Sequence, residues 1–532
     1  MTNLLVTTGS GEHHVNLCAG QSVREALDAT DWRVRAACGG IGACGACAVI
    51  RLEGAANPFT LAEYQKLTGE QRAQGWRLAC QLRPRGDCRI RLDHPAPPSP
   101  WRSIPAEDLL DPAAFLPALE GPIYGIAVDL GTTCIRVALW DRKRGRRIAA
   151  RSGPNPQRAY GADVLNRLSR AVADPACART MAELARDAVM QAVHDMLVRD
   201  VGEAHAMPAE IGQVMVVGNT AMLALLTGHG AATLLDPANW QHPVDCRPPD
   251  AAVWQALWPL PNAAVRVADA VAGFVGSDLV ADLIATRLTE SQAGALLLDV
   301  GTNTELALWD GRTLHVTSVP GGPAFEGGGI RHGMAAETGA IFRVRWEDGI
   351  VCEVIGGGPA LGWCGSGLVD AIAVLLETGI LQPSGRYAQS PGVAGYALLP
   401  DNPLTVLGGS DIDAFQRAKA ATAAAMATLL DLAGMAWGDI RRVCVCGAFG
   451  RRLDIGHAQR VGLLPGLNPA GIELYAGAAL AGCERALLTA HGEQLFAAET
   501  AKIRLVNLAC VQGYEDRYID HLRLAPMPLT SN

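Results

Sequence analysis

The chain has 532 residues, of which 49% are hydrophobic and 18% are charged, and its formal net charge is −8. This length indicates more than one domain, and the negative charge argues against non-specific nucleic-acid binding. No segment has the length and apolar character of a bilayer span or a secretory leader. We therefore expect a cytoplasmic protein that binds neither nucleic acid nor membrane. Its 15 cysteines are expected to be metal ligands or core residues rather than disulfides.

The first 94 residues carry the signals of a small domain built from short strands. Strands are predicted at 3–8, 14–18 and 48–54, and Ser22 with Glu25 forms a capping-box signal for a helix. Prolines interrupt regular structure at 93–101, and the Pro- and Ala-rich stretch that follows is typical of a linker. We expect a first domain at 1–94 and a linker at 95–120.

A glycine-rich loop, CGGIGACGAC at 38–47, carries the chemistry of this domain. Its three cysteines and a distant fourth follow the spacing C-x5-C-x2-C-x32-C. Plant-type [2Fe–2S] proteins have a similar pattern, with one residue fewer in the first gap. Glycines let a backbone wrap closely around a cluster and turn N–H groups towards its sulfurs. We predict a [2Fe–2S] cluster held by Cys38, Cys44, Cys47 and Cys80.

Two other interpretations of these cysteines remain open, a structural zinc site and buried free thiols. Zinc sites favour paired Cys-x2-Cys knuckles, whereas this domain has one such pair, Cys44 and Cys47. The longer first gap is similar to that of the adrenodoxin-like [2Fe–2S] proteins. Because no flavin or nicotinamide fingerprint accompanies the cysteines, we expect the domain to relay electrons rather than to act as a complete reductase.

An internal repeat follows the linker. GPIYGIAVDLGTTCIRVALWD (121–141) is echoed by AGALLLDVGTNTELALWDGR (293–312). In both copies an apolar strand ends in Asp, a D-x-G-T turn follows, and a second strand runs to Trp-Asp. The repeat predicts two lobes of similar topology, residues 121–290 and 291–532.

The two turns have the chemistry of phosphate-binding loops. Glycine lets the backbone approach an anion, and Thr hydroxyls and backbone N–H groups donate to phosphate oxygens. Asp129 and Asp299, each at a strand end, are candidate catalytic residues that could hold Mg²⁺ and orient an attacking water. The other predicted contacts of the phosphates are Gly131, Thr132, Thr133, Gly301, Thr302 and Asn303.

A third element lies towards the end of the chain. An Ala-rich helix is predicted at 410–434, and it leads to the strand RRVCVCGAFG at 441–450. Gly447 and Gly450 would leave room for the face of an adenosine. Cys444 and Cys446 alternate with valines and are expected to be core residues.

Together these three elements resemble the phosphate-1, phosphate-2 and adenosine motifs of the acetate kinase, sugar kinase, Hsp70 and actin superfamily. The resemblance implies an α/β protein in which two RNase H-like lobes close on ATP and Mg²⁺. An α+β ferredoxin domain of the β-grasp type would precede them. VVGNTAM (216–222), with Asn219 as a candidate nucleotide contact, corresponds to the segment that connects the lobes in that superfamily.

A [2Fe–2S] domain followed by such a core resembles the reductive activators of corrinoid proteins over nearly the whole chain. The resemblance implies ATP-dependent reduction of an inactive Co(II) corrinoid of the cobalamin type to Co(I), with slow ATP hydrolysis. It also implies a homodimer, a corrinoid protein or corrinoid methyltransferase as partner, and a ferredoxin or flavoprotein reductase as electron donor. Further family-like stretches lie at 155–167, 273–281, 321–334, 363–372 and 449–465.

Some features leave alternatives open. Glu326, among the glycines of GGPAFEGGG, is a candidate catalytic anchor near the phosphates, and a simple surface glutamate is almost as consistent with the sequence. Cys483 and Cys510 stand alone, so we expect no additional [4Fe–4S] cluster. The alternative functions are an ATP-driven activator of a different low-potential enzyme and a small-molecule kinase with a redox domain.

Overall fold

The computed structural model describes residues 2–529 apart from 19, 29, 35–41, 43–44, 96–98, 113–121, 162, 202–206, 302, 320, 322, 393–394 and 448. Two predicted cluster ligands, Cys38 and Cys44, and the predicted phosphate contact Thr302 lie outside the described residues. The described chain is a mixed α/β structure organised around three large sheets.

The N-terminal unit is a five-stranded sheet covered by short helices. Ser22 and Glu25 form the predicted capping box, in which the Ser22 N–H donates to the Glu25 carboxylate (2.7 Å). The predicted strands at 3–8, 14–18 and 48–54 are present. The elements are β1 (Thr2–Thr8), β2 (Gly11–Leu17), α1 (Val23–Asp28), β3 (Ala48–Glu53), α2 (Leu61–Lys66), α3 (Gly69–Ala73), β4 (Trp76–Leu78) and β5 (Cys88–Arg91). The strand order is β2-β1-β5-β3-β4, with β1 and β5 parallel.

Lobe I is built on a six-stranded sheet. Its elements are β6 (Arg102–Ser103), β7 (Tyr124–Leu130), β8 (Cys134–Asp141), β9 (Arg146–Pro154), α4 (Val164–Ala173), α5 (Pro175–Met196), β10 (Ile211–Gly218), α6 (Thr220–Thr227), α7 (Ala231–Leu234), α8 (Ala251–Ala256), β11 (Ala264–Val267) and α9 (Ser277–Thr286). The strand order is β11-β10-β7-β8-β9-β6. Within the stretch expected to be a linker, β6 pairs with β9, and the Trp101 side chain is buried against Gly153.

Lobe II is built on a second six-stranded sheet, accompanied by two small ones. Its elements are β12 (Ala295–Val300), β13 (Thr304–Trp309), β14 (Leu314–Val319), β15 (Ala340–Trp346), β16 (Ile350–Val354), β17 (Gly362–Trp363), α10 (Gly365–Glu377), β18 (Tyr396–Ala397), β19 (Val406–Leu407), α11 (Gly409–Ala433), β20 (Arg442–Gly447), α12 (Ile455–Arg460), β21 (Ile472–Leu474), α13 (Ala478–Leu487), α14 (Gly492–Thr500), β22 (Ile503–Leu505) and α15 (Tyr514–Asp520). The main strand order is β21-β20-β12-β13-β14-β22.

The two large sheets repeat one topology, which confirms the duplication predicted from the sequence. In each lobe three antiparallel strands run in chain order, and two later strands add in parallel at the side of the first. The predicted helix and strand near the end of the chain appear as α11 and β20. Cys444 and Cys446 are buried in β20, as expected of core residues.

Helices α9 and α13 join the lobes by a close contact. A Cβ added to Gly482 in α13 would lie 1.9 Å from the Ala281 carbonyl oxygen in α9, so the two backbones touch. Beside this contact, the buried Glu484 carboxylate of α13 accepts from the Trp140 indole N–H (2.8 Å) and from Arg147 Nε (2.6 Å) of lobe I. No helix in the described part of the chain combines the length and apolar character that a bilayer span requires.

Candidate redox and nucleotide sites

Two of the four predicted cluster ligands are described, and the structure brings them together. Cys47 immediately precedes β3, and Cys80 lies just beyond β4. The Ala79 N–H donates to the Cys47 carbonyl (2.9 Å) and ties the two segments together. Both thiols are buried, and they lie within hydrogen-bonding reach of each other. The separate segment predicted to close the site therefore does meet the cysteine loop.

Hydrogen-bond donors and positive charge surround the Cys80 sulfur. The bond from Cys47, together with donation by the Gln81 side chain (3.6 Å), the charge of Arg24 and the Gly42 N–H, lowers the pKa of Cys80 to about 6 against the effect of burial. Gly42 has φ +81°, and a Cβ there would lie 2.6 Å from the Ala62 Cβ, so only glycine fits. The loop can therefore bring its backbone close to the sulfurs.

This arrangement fits a [2Fe–2S] cluster. Cluster ligands are thiolates, and N–H donors and nearby charge stabilise them. Cys88, in β5 of the same unit, makes a useful contrast because its burial raises the pKa of the thiol. At Cys88 the charges of Arg51 and Arg77 do not overcome the effect of burial, unlike the donors and charge at Cys80.

The strand ends at β7 and β12 come together where the two lobes meet, a region that we call the cleft, because Asp129 and Glu326 both lie close enough to act on Asp299. Asp129 and Asp299 lie at the ends of these strands. The Thr133 hydroxyl of lobe I donates to the Glu326 carboxylate of lobe II (3.4 Å). Glu326 is thus placed at the cleft rather than at a remote part of the surface.

Asn219 joins the first phosphate loop to the lobe I sheet. Its side-chain amide donates to the Thr132 hydroxyl (2.8 Å), and its Oδ1 accepts from the Met222 N–H (3.0 Å) as the N-cap of α6. One side chain therefore caps a helix and positions the loop. Gly131 begins the same turn, and a Cβ there would lie 2.5 Å from the Cys134 carbonyl oxygen.

The second predicted phosphate loop is packed against the end of β20. Gly447 has φ +86°, and a Cβ there would lie 2.3 Å from the Val300 carbonyl oxygen and 2.4 Å from Asp299 Oδ1. The Gly301 N–H donates to the Asn303 carbonyl (3.1 Å) and tightens the turn. Gly450 lies three residues beyond Gly447, with Ala476 as its neighbour.

Three acidic residues at the cleft were not identified from the sequence. Asp278 and Asp282 lie one turn apart on α9, and Glu305 lies opposite Asp299 in the β12–β13 register. A signal was present, since the pair of aspartates follows a glycine in GSDLVAD. Gly276 brings α9 to the cleft, because a Cβ there would lie 2.4 Å from the Asn219 Cα.

Burial and mutual repulsion raise the pKa values of these acids. Burial and then the charge of Asp129 raise the pKa of Asp299 to about 7, although a hydrogen bond with Asp282 opposes the shift. Burial also raises the pKa of Asp129, and Arg136 opposes it from 3.7 Å. A cleft this acidic suits a divalent cation and its phosphate ligand, because a bound cation favours the charged carboxylates.

Comparison with known protein families agrees with this division of the chain. Residues 7–85 match the 2Fe-2S iron-sulfur cluster binding domain. Residues 124–291 match the RACo middle region. Residues 293–530 match the C-terminal domain of RACo, described as the ASKHA domain.

Individual relatives lead to the same family. The chain is 30% identical over 408 residues to the corrinoid activation enzyme RamQ of Eubacterium limosum, a match that covers 70% of this chain and 66% of RamQ. It is 25% identical over 386 residues to the [Co(II) methylated amine-specific corrinoid protein] reductase of Methanosarcina barkeri, covering 65% of this chain and 66% of that protein. The matches thus span just under two thirds of the length of these two relatives.

A solved structure extends the similarity to the whole chain. A reductive activator for corrinoid, iron-sulfur protein is 25% identical, with a TM-score of 0.65 and coverage of 99% of both chains. Its fold and the three family matches account for the ferredoxin unit and both lobes. The chain belongs to the RACo family, in which a 2Fe-2S iron-sulfur cluster binding domain is followed by the RACo middle region and the RACo ASKHA domain.

Proposed function

We propose that this protein reduces the Co(II) centre of a corrinoid protein to Co(I) with one electron, in a reaction that depends on ATP. The observation that carries the proposal is the buried Cys47–Cys80 pair, in a thiolate-stabilising environment, on the same chain as a two-lobed acidic nucleotide cleft. The names of RamQ and of the Methanosarcina reductase support this choice of reaction.

The redox site would be formed by Cys38, Cys44, Cys47 and Cys80. When bound, a [2Fe–2S] cluster supplies a one-electron carrier. Gly42 and Gln81 donate hydrogen bonds to the Cys80 sulfur, and burial of Cys47 and Cys80 excludes water from their side of the site.

The nucleotide site would lie between the lobes. Asp129 and Asp299 would hold Mg²⁺, with Glu326 near them as a polar anchor. Gly447 and Gly450 would leave room for the adenosine. The loop residues that would hold the phosphates are Gly131, Thr132, Thr133, Asn219, Gly301, Thr302 and Asn303.

Energetics explain why an electron carrier would need an ATPase. Plant-type clusters have potentials near roughly −400 mV, and Co(II)/Co(I) reduction is uphill from such donors. For one electron, about 60 mV corresponds to about 1.4 kcal/mol. Lobes that close differently with and without nucleotide could shift a partner's equilibrium by roughly 1–3 kcal/mol, up to about twice this amount.

The proposal also includes the redox partners of the protein and the boundaries of its domains. The electron would come from a ferredoxin or a flavoprotein reductase and go to a corrinoid protein or corrinoid methyltransferase, and the protein would act as a cytoplasmic homodimer without membrane or nucleic acid. The units would be residues 1–94, the linker 95–120, and the lobes 121–290 and 291–532.

The test mixes the reduced protein with a Co(II) corrinoid protein under anaerobic conditions and follows Co(I) absorbance with and without MgATP. We expect Co(I) to form much faster with ATP. Cys80→Ser should lose the cluster spectrum and the reaction. Cys88→Ser is the matched control, because Cys88 is a buried cysteine of the same unit with no predicted ligand role, and it should keep both.

Two results would contradict the proposal. One is the absence of Co(I) with every corrinoid protein tried, with or without ATP. The other is a phosphorylated small-molecule product, which would favour a kinase instead.

A further inference from the structure

The ferredoxin unit and lobe I meet at a buried cluster of charged side chains, which we call the interdomain charge cluster. Every member is almost completely shielded from solvent, with side-chain exposure of 12% or less. Four are arginines and three are aspartates. The members are Arg24, Asp28 and Arg33 from the ferredoxin unit and Arg151, Asp195, Arg199 and Asp200 from lobe I.

One part of this cluster anchors the ferredoxin unit on lobe I. Arg33 donates two hydrogen bonds to the Asp195 carboxylate, of 3.0 and 2.8 Å. Asp195 also accepts from Arg151 Nε of β9 (2.7 Å). Bidentate pairs of this kind fix orientation as well as distance. The Arg33–Asp195 pair therefore explains how the unit is held.

Another part reaches the redox site through Arg24. The Arg24 backbone N–H donates to the Ala79 carbonyl (3.0 Å), next to Cys80, and the Ala79 N–H donates to the Cys47 carbonyl. The guanidinium is paired with Asp28 of its own helix (3.2 Å) and with Asp200 of lobe I. Its charge acts on both Cys47 and Cys80. Arg24 thus links the segment that carries Cys80 to a carboxylate of the other unit.

Asp200 is itself placed by lobe I. It lies in a single π-helical turn, Leu197–Val201, that follows α5, and it also accepts from Arg151. π-Turns of this kind are often found at functional sites. The position of the Arg24 guanidinium therefore depends on how the end of α5 is held.

We propose that Arg24 is a positioning residue of the redox site, through which Asp200 of lobe I sets the positive charge that the [2Fe–2S] cluster experiences. This rests on the cluster assignment made above. Cluster potentials respond to nearby charge and to hydrogen bonds on the sulfurs, and a buried charge is screened little by salt. The ATPase core is thereby part of the electrostatic surroundings of the electron carrier.

The two partners have effects of opposite sign on the potential. A positive charge near the cluster favours the reduced form, which is the more negative one, so Arg24→Gln should lower the midpoint potential. Asp200→Asn removes a negative charge beside the same guanidinium, so it should raise the potential. Arg24→Lys keeps the charge and should stay close to the wild type.

The test is a redox titration of the full-length holoprotein, followed by electron paramagnetic resonance of the reduced cluster. Arg33→Gln and Asp195→Asn are the matched controls, because they break the same interface at a pair that anchors the unit. We expect both controls to increase proteolysis between the units and to shift the potential less than the Arg24 and Asp200 variants do, because Arg24 alone of these four has a hydrogen bond, among the described residues, to the segment that carries Cys80. Opposite shifts for Arg24→Gln and Asp200→Asn, larger than those of the controls, support the proposal.

Other outcomes would overturn it. Equal shifts in Arg24→Gln and Arg33→Gln would mean that the potential follows general loosening of the interface. If the wild type had a normal [2Fe–2S] cluster and its midpoint potential did not change in the Arg24 and Asp200 variants, the role of Arg24 would be refuted and the cluster assignment would stand. Absence of a [2Fe–2S] spectrum from the wild type would instead refute the cluster assignment, and this proposal with it.

Discussion

The two phosphate-loop hairpins share a backbone but differ in charge at the same register position. In lobe I, Asp129 lies opposite Arg136 across β7 and β8, and the two side chains form an ion pair. In lobe II, Asp299 lies opposite Glu305 across β12 and β13. A position that carries a cation in one copy therefore carries an acid in the other.

The difference teaches that duplicated strands need not make duplicated sites. Arg136 opposes the rise in the pKa of Asp129. Burial and the charge of Asp129 raise the pKa of Asp299 to about 7, although a hydrogen bond with Asp282 and the charge of Arg136 oppose the shift. Asp129 thus has a cationic partner within its own hairpin, whereas the residue opposite Asp299 is the acid Glu305. A cation bound in the cleft would reduce the repulsion between carboxylates more in lobe II than in lobe I, because the lobe II loop has more carboxylates without a cationic partner in the same hairpin.

The largest expected effect tests whether both loops serve the nucleotide. Asp299→Asn should slow ATP hydrolysis by about 100-fold or more, the usual effect of removing one preorganised electrostatic group. Asp129→Asn should do the same from lobe I. Phosphate release measures both, and the [2Fe–2S] absorbance should be unchanged. If only one of the two variants slowed ATP hydrolysis strongly, the two loops would not be equivalent. If a variant lost the [2Fe–2S] absorbance as well as ATP hydrolysis, the redox and nucleotide units would not be independent.

The pH dependence of stability should separate the two aspartates. Folded Asp299 has a pKa of about 7 against an ordinary 3.8, so between these pH values the folded state binds protons that the unfolded state has released. The contribution of Asp299 to the free energy of unfolding of the nucleotide-free protein should therefore fall as pH rises from about 4 to about 7, by about 4 kcal/mol.

Denaturant titrations at several pH values measure this fall. Asp299→Asn should remove the part that Asp299 contributes and leave the part that comes from Asp278, Asp282 and Glu305, whose pKa values burial also raises. Asp129→Asn should remove a smaller part, because it takes away the repulsion that helps to raise the pKa of Asp299 but leaves the effect of burial in place. The comparison fails if the two variants flatten the profile equally.

Neutralising the residue opposite each aspartate, Glu305 in lobe II and Arg136 in lobe I, should change the stability of the protein in opposite directions. Glu305 is buried, and its Oε1 has no hydrogen-bond partner among the described residues. Glu305→Gln relieves repulsion within the pocket and should stabilise the nucleotide-free protein at pH 8 by about 1 kcal/mol. Arg136→Gln should destabilise it by about 0.5 kcal/mol, since that pair is partly exposed. Thermal unfolding measures both, and a destabilised Glu305→Gln protein would argue against the repulsion.

The smallest effect concerns the contact between the lobes. Thr133→Val removes the hydroxyl that donates to Glu326 over a long 3.4 Å bond. Such bonds contribute about 0.5–1.5 kcal/mol, so ATP binding should weaken by roughly 2–10-fold. Thr133→Ser keeps the hydroxyl and should bind ATP as the wild type does. Equal binding by Thr133→Val would show that the bond does not help to close the cleft.

Local patterns were sufficient for much of the fold. The D-x-G-T turns between apolar strands predicted the β7–β8 and β12–β13 hairpins, since strand periodicity and turn chemistry are set by neighbouring residues. The Ala-rich segment predicted α11, and the following apolar run predicted β20. The cysteine spacing predicted that Cys47 and Cys80 meet, because a cluster requires ligands from both segments.

Long-range contacts explain what was missed. Asp278 and Asp282 face the cleft because Gly276 lets α9 approach Asn219, and no local pattern reports that approach. The ion pair between Arg24 and Asp200 joins residues 176 positions apart. Charged residues usually lie in solvent, so sequence alone favours an exposed position for each of them.

By itself, then, the sequence determined the kinds of chemistry this protein carries: cysteines spaced for an iron–sulfur cluster and two glycine loops for phosphates. These patterns are short, and the spacing of their residues along the chain is enough to predict how the residues are arranged in space. Only the tertiary structure decided which charges share a pocket, making the lobe II loop acidic, balancing lobe I with Arg136, and placing Arg24 between the redox site and the ATPase core. The physical reason is that burial, not sequence proximity, determines which charges interact strongly, because buried charges are screened least.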